Sequence, residues 1–365
     1  MYKESMRQTW VEIDLSALDH NIKEIKRVIG NNEIIGVVKA DAYGHGSVRC
    51  AKVLRDNGVQ RFAVATIEEA LELREAGFNE SILILGLVPE DCTDIIIEQN
   101  LTIVVGSLDR AKKKSEIAVK RGAVIDCFIA IDSGMGRIGY RIETPLEKEF
   151  ARTEIEEIDE LEGLRINGMV SHFATSDEAD STYTNKQLSL FNDFYEELAG
   201  CGINVPMLCI ANSAAIMDYP KTHFDAVRPG IILYGCYPSE EVDKTRLDLK
   251  PVMSVKAYII HIKTVPAGTS ISYGRRFIAD RESKIATISI GYADGYSRTL
   301  TGKAEVLVHG HRVPVVGSIC MDQCMIDVTD VSGVAAGDEV VIMGRSGDDE
   351  ISAEEIAGKI GTINY

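Results

Sequence analysis

Ile34-Ile35-Gly36-Val37-Val38-Lys39-Ala40-Asp41-Ala42-Tyr43-Gly44-His45-Gly46 is the stretch from which the rest of the chain can be read. An apolar run of strand length delivers one lysine at its C-terminal end, and a glycine-rich turn with a single tyrosine comes next. A continuous Ile/Val run is the pattern of a strand buried on both faces, as in parallel sheets. An ammonium at the tip of such a strand is poorly hydrated, which favours the neutral amine and makes it a usable nucleophile. Gly44 and Gly46 would let backbone approach a ligand closely. Taken alone, a lysine after a core strand reads as a surface residue; the remainder of the sequence shifts that weighting.

The same rhythm recurs eight times. Apolar runs at 34–39, 62–66, 82–87, 102–105, 124–131, 165–172, 207–211 and 224–228 alternate with amphipathic, charged segments, of which 67–76 and 185–198 have the clearest helical pattern. Eight β/α units in some two hundred residues predict an α/β fold, a (β/α)8 TIM barrel, with a doubly wound open sheet as the competing arrangement. Ahead of the first run, Trp10–Asp14 alternates like a half-buried strand. A helix should follow, with Ser16 as N-cap, a stripe of Leu18, Ile22, Ile25 and Ile29, and Gly30 closing it.

After Tyr237-Pro238-Ser239 the rhythm changes. Short strands are expected at 255–262, 285–290, 304–308, 313–316, 325–328 and 339–343, with turns between them and His309-Gly310-His311 at a hairpin. Ser352 with Glu355 three residues on signals a capping box and a late helix. The chain therefore divides into a barrel at 14–240 and a C-terminal mostly-β domain at 245–365, joined by 1–13.

Composition narrows the function. A formal charge of −17 disfavours nucleic acid and anionic membranes as partners. No stretch has the length of a membrane span, and Met1–Met6 lacks the apolar core of a leader. The eight cysteines form no CxxC pair, which fits free thiols and a cytoplasmic protein. The histidines are dispersed, so no metal site is expected. No G-x-S-x-G elbow is present.

In a barrel, chemistry gathers where strands end at the C-terminal face. The first strand presents Lys39, with Tyr43 just beyond; the fifth leads to Asp132-Ser133-Gly134-Met135-Gly136-Arg137; the sixth ends at His172; the seventh runs into Asn212-Ser213; the eighth ends at Arg228-Pro229-Gly230-Ile231. The last two segments suit a phosphate. Pro229 fits a first helical position, and Gly230 and Ile231 would then offer backbone N–H groups, with hydroxyls from Ser213 and Tyr43. An aldehyde for Lys39 and a phosphate for these loops together suggest pyridoxal phosphate. Gly134–Gly139 also matches G-x-G-x-x-G, but the Glu-rich stretch 144–163 reads as a solvated helix rather than as the second strand a dinucleotide fold needs.

With these residues assembled, the whole chain resembles the alanine racemases. The most specific matches are Val38–Gly46, Gly134-Met135-Gly136-Arg137, Arg228-Pro229-Gly230-Ile231, Ser272-Tyr273-Gly274, Gly291-Tyr292-Ala293-Asp294-Gly295-Tyr296 and Cys320-Met321-Asp322-Gln323. The resemblance implies a homodimeric, cytoplasmic enzyme supplying D-alanine for peptidoglycan, with active sites shared between chains. It implies that Lys39 holds the cofactor and acts as one base, and that Tyr273 of a second chain is the other, tuned by His172 and Arg228. Arg228 would bond the pyridine nitrogen and keep it unprotonated, limiting transamination. Arg137 and the backbone at Met321 would hold the substrate carboxylate. Tyr43, Ser213, Gly230, Ile231 and Tyr365 would surround the phosphate, and Tyr292 with Tyr365 would narrow the entrance toward a small side chain.

Four departures stand out. Ala130 occupies the place of a lysine that is carbamylated in many members, so water, a small anion such as chloride, or another group holding Arg137 is expected there. Cys209 stands where a histidine usually supports Arg228, and Ser318 where an arginine usually lies near the entrance. The resemblance also implies further β structure past Tyr365. Racemisation of serine or other small amino acids, a related decarboxylase and a non-catalytic pyridoxal-phosphate-binding protein are the alternatives.

Overall fold

Eight short strands carry the predicted rhythm into three dimensions. In the computed structural model, which describes residues 8–365, they are Glu33–Val37, Arg61–Val64, Ser81–Ile84, Thr102–Val105, Ile125–Asp132, Leu164–Val170, Leu208–Cys209 and Ala226–Val227, here the first to eighth. Each pairs in parallel with the next as far as the seventh. The eighth returns to pair in parallel with the first, Ala226 opposite Glu33 and Val227 opposite Ile34. At the remaining seam the Arg228 N–H donates to the Ala211 carbonyl (3.0 Å). The sheet is a barrel, and the open doubly wound alternative falls on that return pairing.

The barrel interior is a packed core, as its strand pattern requires. Ile35, Val37, Ala63, Leu83, Val104, Phe128, Ala130, Val170, Met207, Cys209 and Ala226 form one buried cluster. Gly168 makes room for the largest of them: a Cβ there would lie 2.4 Å from the Phe128 ring and 2.8 Å from the Met207 carbonyl oxygen.

The outer helices follow from their sequences. Leu15–Ile29 buries Leu18, Ile22, Ile25 and Ile29 and gives way to Gly30 at φ +65°. It begins at Leu15, so Ser16 lies inside the helix and is not its cap. Ile67–Glu75 and Pro145–Asp159 each start from a complete capping box, Thr66 with Glu69 and Thr144 with Glu147. The G-x-G-x-x-G segment leads into a two-residue strand, Tyr140–Arg141, beside the fifth strand. No helix opens on it, which removes the dinucleotide reading.

The second compact unit joins the segment ending at Asp14 to Pro251–Tyr365. Its main strands are Thr9–Ile13, Met253–Val265, Ser283–Ile288, Glu305–Val308, His311–Val316, Cys324–Asp327, Glu339–Ser346 and Asp349–Ile351, and a separate short pair, Ser270–Ile271 with Phe277–Ile278, flanks Tyr273. The long strand Met253–Val265 pairs with both Ser283–Ile288 and Glu339–Ser346, closing an antiparallel ring around a Val/Ile core. His309 and Gly310 form the two-residue hairpin, both with positive φ (+52° and +80°). The late helix is Ala353–Ile360, and Ser352 accepts from the Glu355 N–H (3.1 Å). The Glu355 carboxylate turns to Arg312 (2.8 and 3.0 Å) and Lys359, so the predicted capping box is only half used. Of the sequence expectations, the leader reading at Met1–Met6 and residues 1–7 of the domain segment 1–13 lie outside the described residues, while the strand expected at Trp10–Asp14 is Thr9–Ile13.

Replacing Gly168 by Ala should cost about 2 kcal/mol in urea unfolding, because the Phe128 ring and the Met207 backbone cannot both yield. An unchanged midpoint would refute this packing.

Candidate active site

The first barrel strand ends at Val37, and the turn beyond it has an unusual backbone. Ala40, Asp41, Ala42 and Tyr43 all sit in the left-handed helical region, with φ from +52° to +56°. L-residues lose on the order of 1–2 kcal/mol each there, so a four-residue left-handed turn needs outside support. The conformational freedom assigned from sequence to Gly44 and Gly46 is present, but the strain lies in the residues before them. Glu69 supplies one anchor: Oε1 accepts from the Ala40 N–H (2.6 Å) and Oε2 from the Ala65 N–H (2.7 Å). Asp41 supplies another, accepting from the Ser47 N–H (2.7 Å). Tyr234, buried, donates to the Val37 carbonyl (2.8 Å) and packs against both Tyr43 and His45.

Lys39 is thus half-buried on a rigid turn. Burial holds its ammonium below the usual lysine range; the guanidinium of Arg137 adds to this, Glu69 opposes it, and Arg228 pushes the same way. The balance is thereby moved toward the neutral amine.

Arg228, 5% exposed, leaves the eighth strand pointing into a cage of acceptors. Its Nη1 donates to the Cys209 carbonyl (2.8 Å) and lies 3.1 Å from the Cys209 Sγ; its Nη2 donates to the Ser171 carbonyl (2.6 Å) and meets His172 Nδ1 at 3.1 Å. Carbonyls, and the thiol of Cys209, therefore do the work expected of a histidine at position 209. A guanidinium offers only donors, so His172 Nδ1 must accept and its proton must sit on Nε2. Burial, then the charges of Arg228, Arg137 and Lys39, push His172 down to about 3. The charges of Arg137 and Arg228 therefore reach both Lys39 and His172.

A second group of predicted residues also converges. The Gly230 N–H donates to Ser213 Oγ (3.0 Å), and a Cβ on Gly230 would lie 2.6 Å from the Tyr43 hydroxyl and 3.8 Å from Ser213 Oγ. Two hydroxyls thus face a backbone that only glycine leaves open. Ile231 is buried and opens the short 3-10 turn Ile231–Tyr234, whose cap is Gly230. Pro229 stands before that cap rather than at a first helical position; its carbonyl accepts from the Val37 N–H (3.1 Å).

Arg137 is exposed on a loop held from beneath. Asp132 Oδ1 accepts from the N–H groups of Gly134 (3.0 Å) and Gly136 (2.9 Å), and the Tyr183 hydroxyl donates to the Gly134 carbonyl (2.8 Å). Ala130, 2% exposed, is packed in the apolar barrel core against Ile138, and a Cβ on Gly139 would lie 3.0 Å from its own. Of the expectations at Ala130, this arrangement agrees with the one in which another group supports Arg137: Asp132 and Tyr183 hold the loop that carries it.

In the β unit, Tyr273, Tyr292 and Met321 hang on one loop, 317–323. Ser318 Oγ donates to the Tyr273 carbonyl (2.8 Å), the Tyr292 N–H donates to the Cys320 carbonyl (3.0 Å), and the Ala293 N–H to the Met321 carbonyl (2.9 Å). Tyr273 is 70% exposed; Tyr292, Met321 and Tyr365 are also exposed. Sequence reasoning missed Glu69, Tyr183 and the hydroxyl role of Ser318. Only Glu69 left a signal, the capping box with Thr66.

Between about pH 6.5 and 3 the unfolded chain binds a proton at His172 that the folded chain refuses, so stability is lost as pH falls through this window. His172→Gln should remove that component, giving a shallower fall of urea stability with decreasing pH; parallel profiles would contradict the neutral, Arg228-bound imidazole.

Among the described residues, no group of three His, Cys, Asp or Glu side chains could hold a metal ion, and no helix is long and apolar enough to cross a membrane. Residues 13–238 match the family model of the alanine racemase N-terminal domain, and residues 252–365 that of the C-terminal domain. Alanine racemase 1 of Clostridium acetobutylicum is 51% identical over 360 residues, covering 99% of this chain and 92% of that protein. The solved alanine racemase of Clostridium difficile 630 superposes with a TM-score of 0.93 at 41% identity, over 99% of this chain and 92% of that one. A histidine racemase from Leuconostoc mesenteroides superposes at 0.89 with 30% identity, over 99% and 95%. The chain belongs to the alanine racemase family.

Proposed function

We propose that this chain is a pyridoxal 5'-phosphate-dependent racemase interconverting L- and D-alanine by two bases, Lys39 and Tyr273, in a cytoplasmic homodimer whose active sites are shared between chains. In this reading 14–240 is the cofactor-binding barrel, and 1–13 with 245–365 is the domain that brings the second base. The observation that carries it is the convergence, at one end of the barrel, of an amine held below its usual range, a buried guanidinium and a glycine-lined pair of hydroxyls.

Those residues fit the cofactor by their chemistry. A neutral Lys39 amine suits an aldehyde, Tyr43, Ser213, Gly230 and Ile231 suit a phosphate, with Tyr365 as a further hydroxyl, and Arg228 suits a pyridine nitrogen that accepts. When bound, the cofactor supplies the electron sink that makes the substrate Cα–H acidic. The chain's own residues do the rest. Lys39 Nζ carries a proton to or from one face of Cα, and the Tyr273 hydroxyl of the second copy serves the opposite face, as inversion requires. His172, its proton confined to Nε2 by Arg228, is a donor suited to a hydrogen bond to the Tyr273 oxygen. Arg228, a donor that stays charged, would favour an unprotonated pyridine nitrogen in a bound cofactor and so a weaker electron sink. Arg137 and the Met321 backbone hold the substrate carboxylate, while Tyr292 and Tyr365 leave room for a methyl side chain. D-alanine for peptidoglycan is the product such a reaction supplies.

The purified protein with pyridoxal phosphate should convert L-alanine to a mixture of the two enantiomers in about equal amounts, read by chiral chromatography, and faster than it converts serine, histidine or arginine. Tyr273→Phe should lower the rate by on the order of 10³-fold. No D-alanine, or faster turnover of a larger amino acid, would overturn the assignment. Arg228→Glu should raise keto acid formed per alanine racemised; an unchanged partition would count against the role given to Arg228.

A further inference from the structure

We infer that Ser318 and Ser272 form a clasp that positions the Tyr273 hydroxyl, making both serines positioning residues for racemisation. The inference rests on the reading of Tyr273 as the second base.

Tyr273 has an awkward backbone setting. Ser272 before it has φ +66° and ψ −177°, a region that is essentially glycine's alone, and Gly274 and Arg275 after it are also at positive φ (+72° and +51°). Its side chain is exposed, so packing of the ring within its own unit does little to fix where the hydroxyl goes. The main chain must do that work. Two hydroxyls cross over to do it. Ser272 Oγ donates to the Ser318 carbonyl (2.6 Å), and Ser318 Oγ donates back to the Tyr273 carbonyl (2.8 Å), across 45 residues of sequence.

The clasp has no slack. Ser318 is 2% exposed. Gly317 beside it is at φ +73°, and a Cβ there would come within 2.7 Å of the Ser272 Cβ and 2.8 Å of the Ile271 carbonyl oxygen. The Cys320 Sγ lies 3.6 Å from the same Ser318 carbonyl. Non-glycine residues keep such backbone angles only where surrounding contacts over-determine them, and functional sites are where they gather. Here the contacts include two serine hydroxyls, beside the Arg275 N–H to the Ser272 carbonyl (3.2 Å) and the flanking pair Ile271 opposite Phe277, and the residue they bracket is the proposed base.

A displaced base has a signature that general loss of activity lacks. In deuterated water, Lys39 alone can exchange the α-proton of one enantiomer with retention, whereas inversion also needs Tyr273. The readout is therefore the ratio of inversion to exchange with retention in the holoenzyme, by chiral separation and mass measurement. Ser318→Ala should lower that ratio about tenfold, in the range a small misplacement of a reacting group costs. Ser272→Gly removes the other hydroxyl while relaxing the backbone, so it should fold at least as well and lower the ratio similarly; it decides the matter should Ser318→Ala fail to fold. If Tyr273→Phe lowers the ratio and Ser272→Gly leaves it at the wild-type value, the clasp is overturned and the two-base reading stands. If Tyr273→Phe leaves it unchanged, both fall.

Discussion

A guanidinium cannot surrender its proton, and Arg228 is buried. That pair of facts constrains much of the barrel end. Every acceptor around it must be an oxygen, a sulfur or an unprotonated nitrogen, and the carbonyls of Ser171 and Cys209, the thiol of Cys209 and His172 Nδ1 fill those places. The same residue's backbone N–H closes the seam between the seventh and eighth strands. Barrel closure and the tautomer of His172 are therefore tied to one side chain and its own main chain. The charge also reaches Lys39, where it adds to burial in favouring the neutral amine.

Strain at this end of the barrel is matched by carboxylates. The left-handed turn after Lys39 is held by Glu69 and Asp41, and the Arg137 loop by Asp132. Each accepts from backbone N–H groups, the charge-assisted bonds best able to offset unfavourable φ. In the β unit the comparable place, around Tyr273, is held by neutral serine hydroxyls. Ala130 fits this picture: with an apolar side chain inside the barrel, the Arg137 loop takes its support from its own Asp132 and from Tyr183 on a neighbouring helix.

The barrel was legible because buried parallel strands read as unbroken apolar runs; each of the eight runs contains or overlaps one strand. Lys39, His172, Ser213 and Arg228 were legible for a related reason: polar residues at the tips of such runs have little structural cause to be there. The hidden parts depend on contacts distant in sequence. The Ala40–Glu69 bond spans 29 residues and the Ser318–Tyr273 bond 45, and neither leaves a periodic trace. Ala40-Asp41-Ala42-Tyr43 has no glycine to announce positive φ, so local propensity pointed one step downstream, to Gly44 and Gly46. At Pro229 the local rule for helix starts was overridden because its carbonyl is needed by Val37 of the first strand.

Complementation between two disabled chains tests the shared, two-base site most directly. A chain carrying Lys39→Ala and a chain carrying Tyr273→Phe should each be nearly inactive alone. Unfolded together and refolded as an equal mixture, they should regain about a quarter of the wild-type alanine racemisation rate, because half of the dimers are mixed and each mixed dimer rebuilds one intact site. No recovery in a mixture shown to contain mixed dimers would contradict a site built from Lys39 of one copy and Tyr273 of the other.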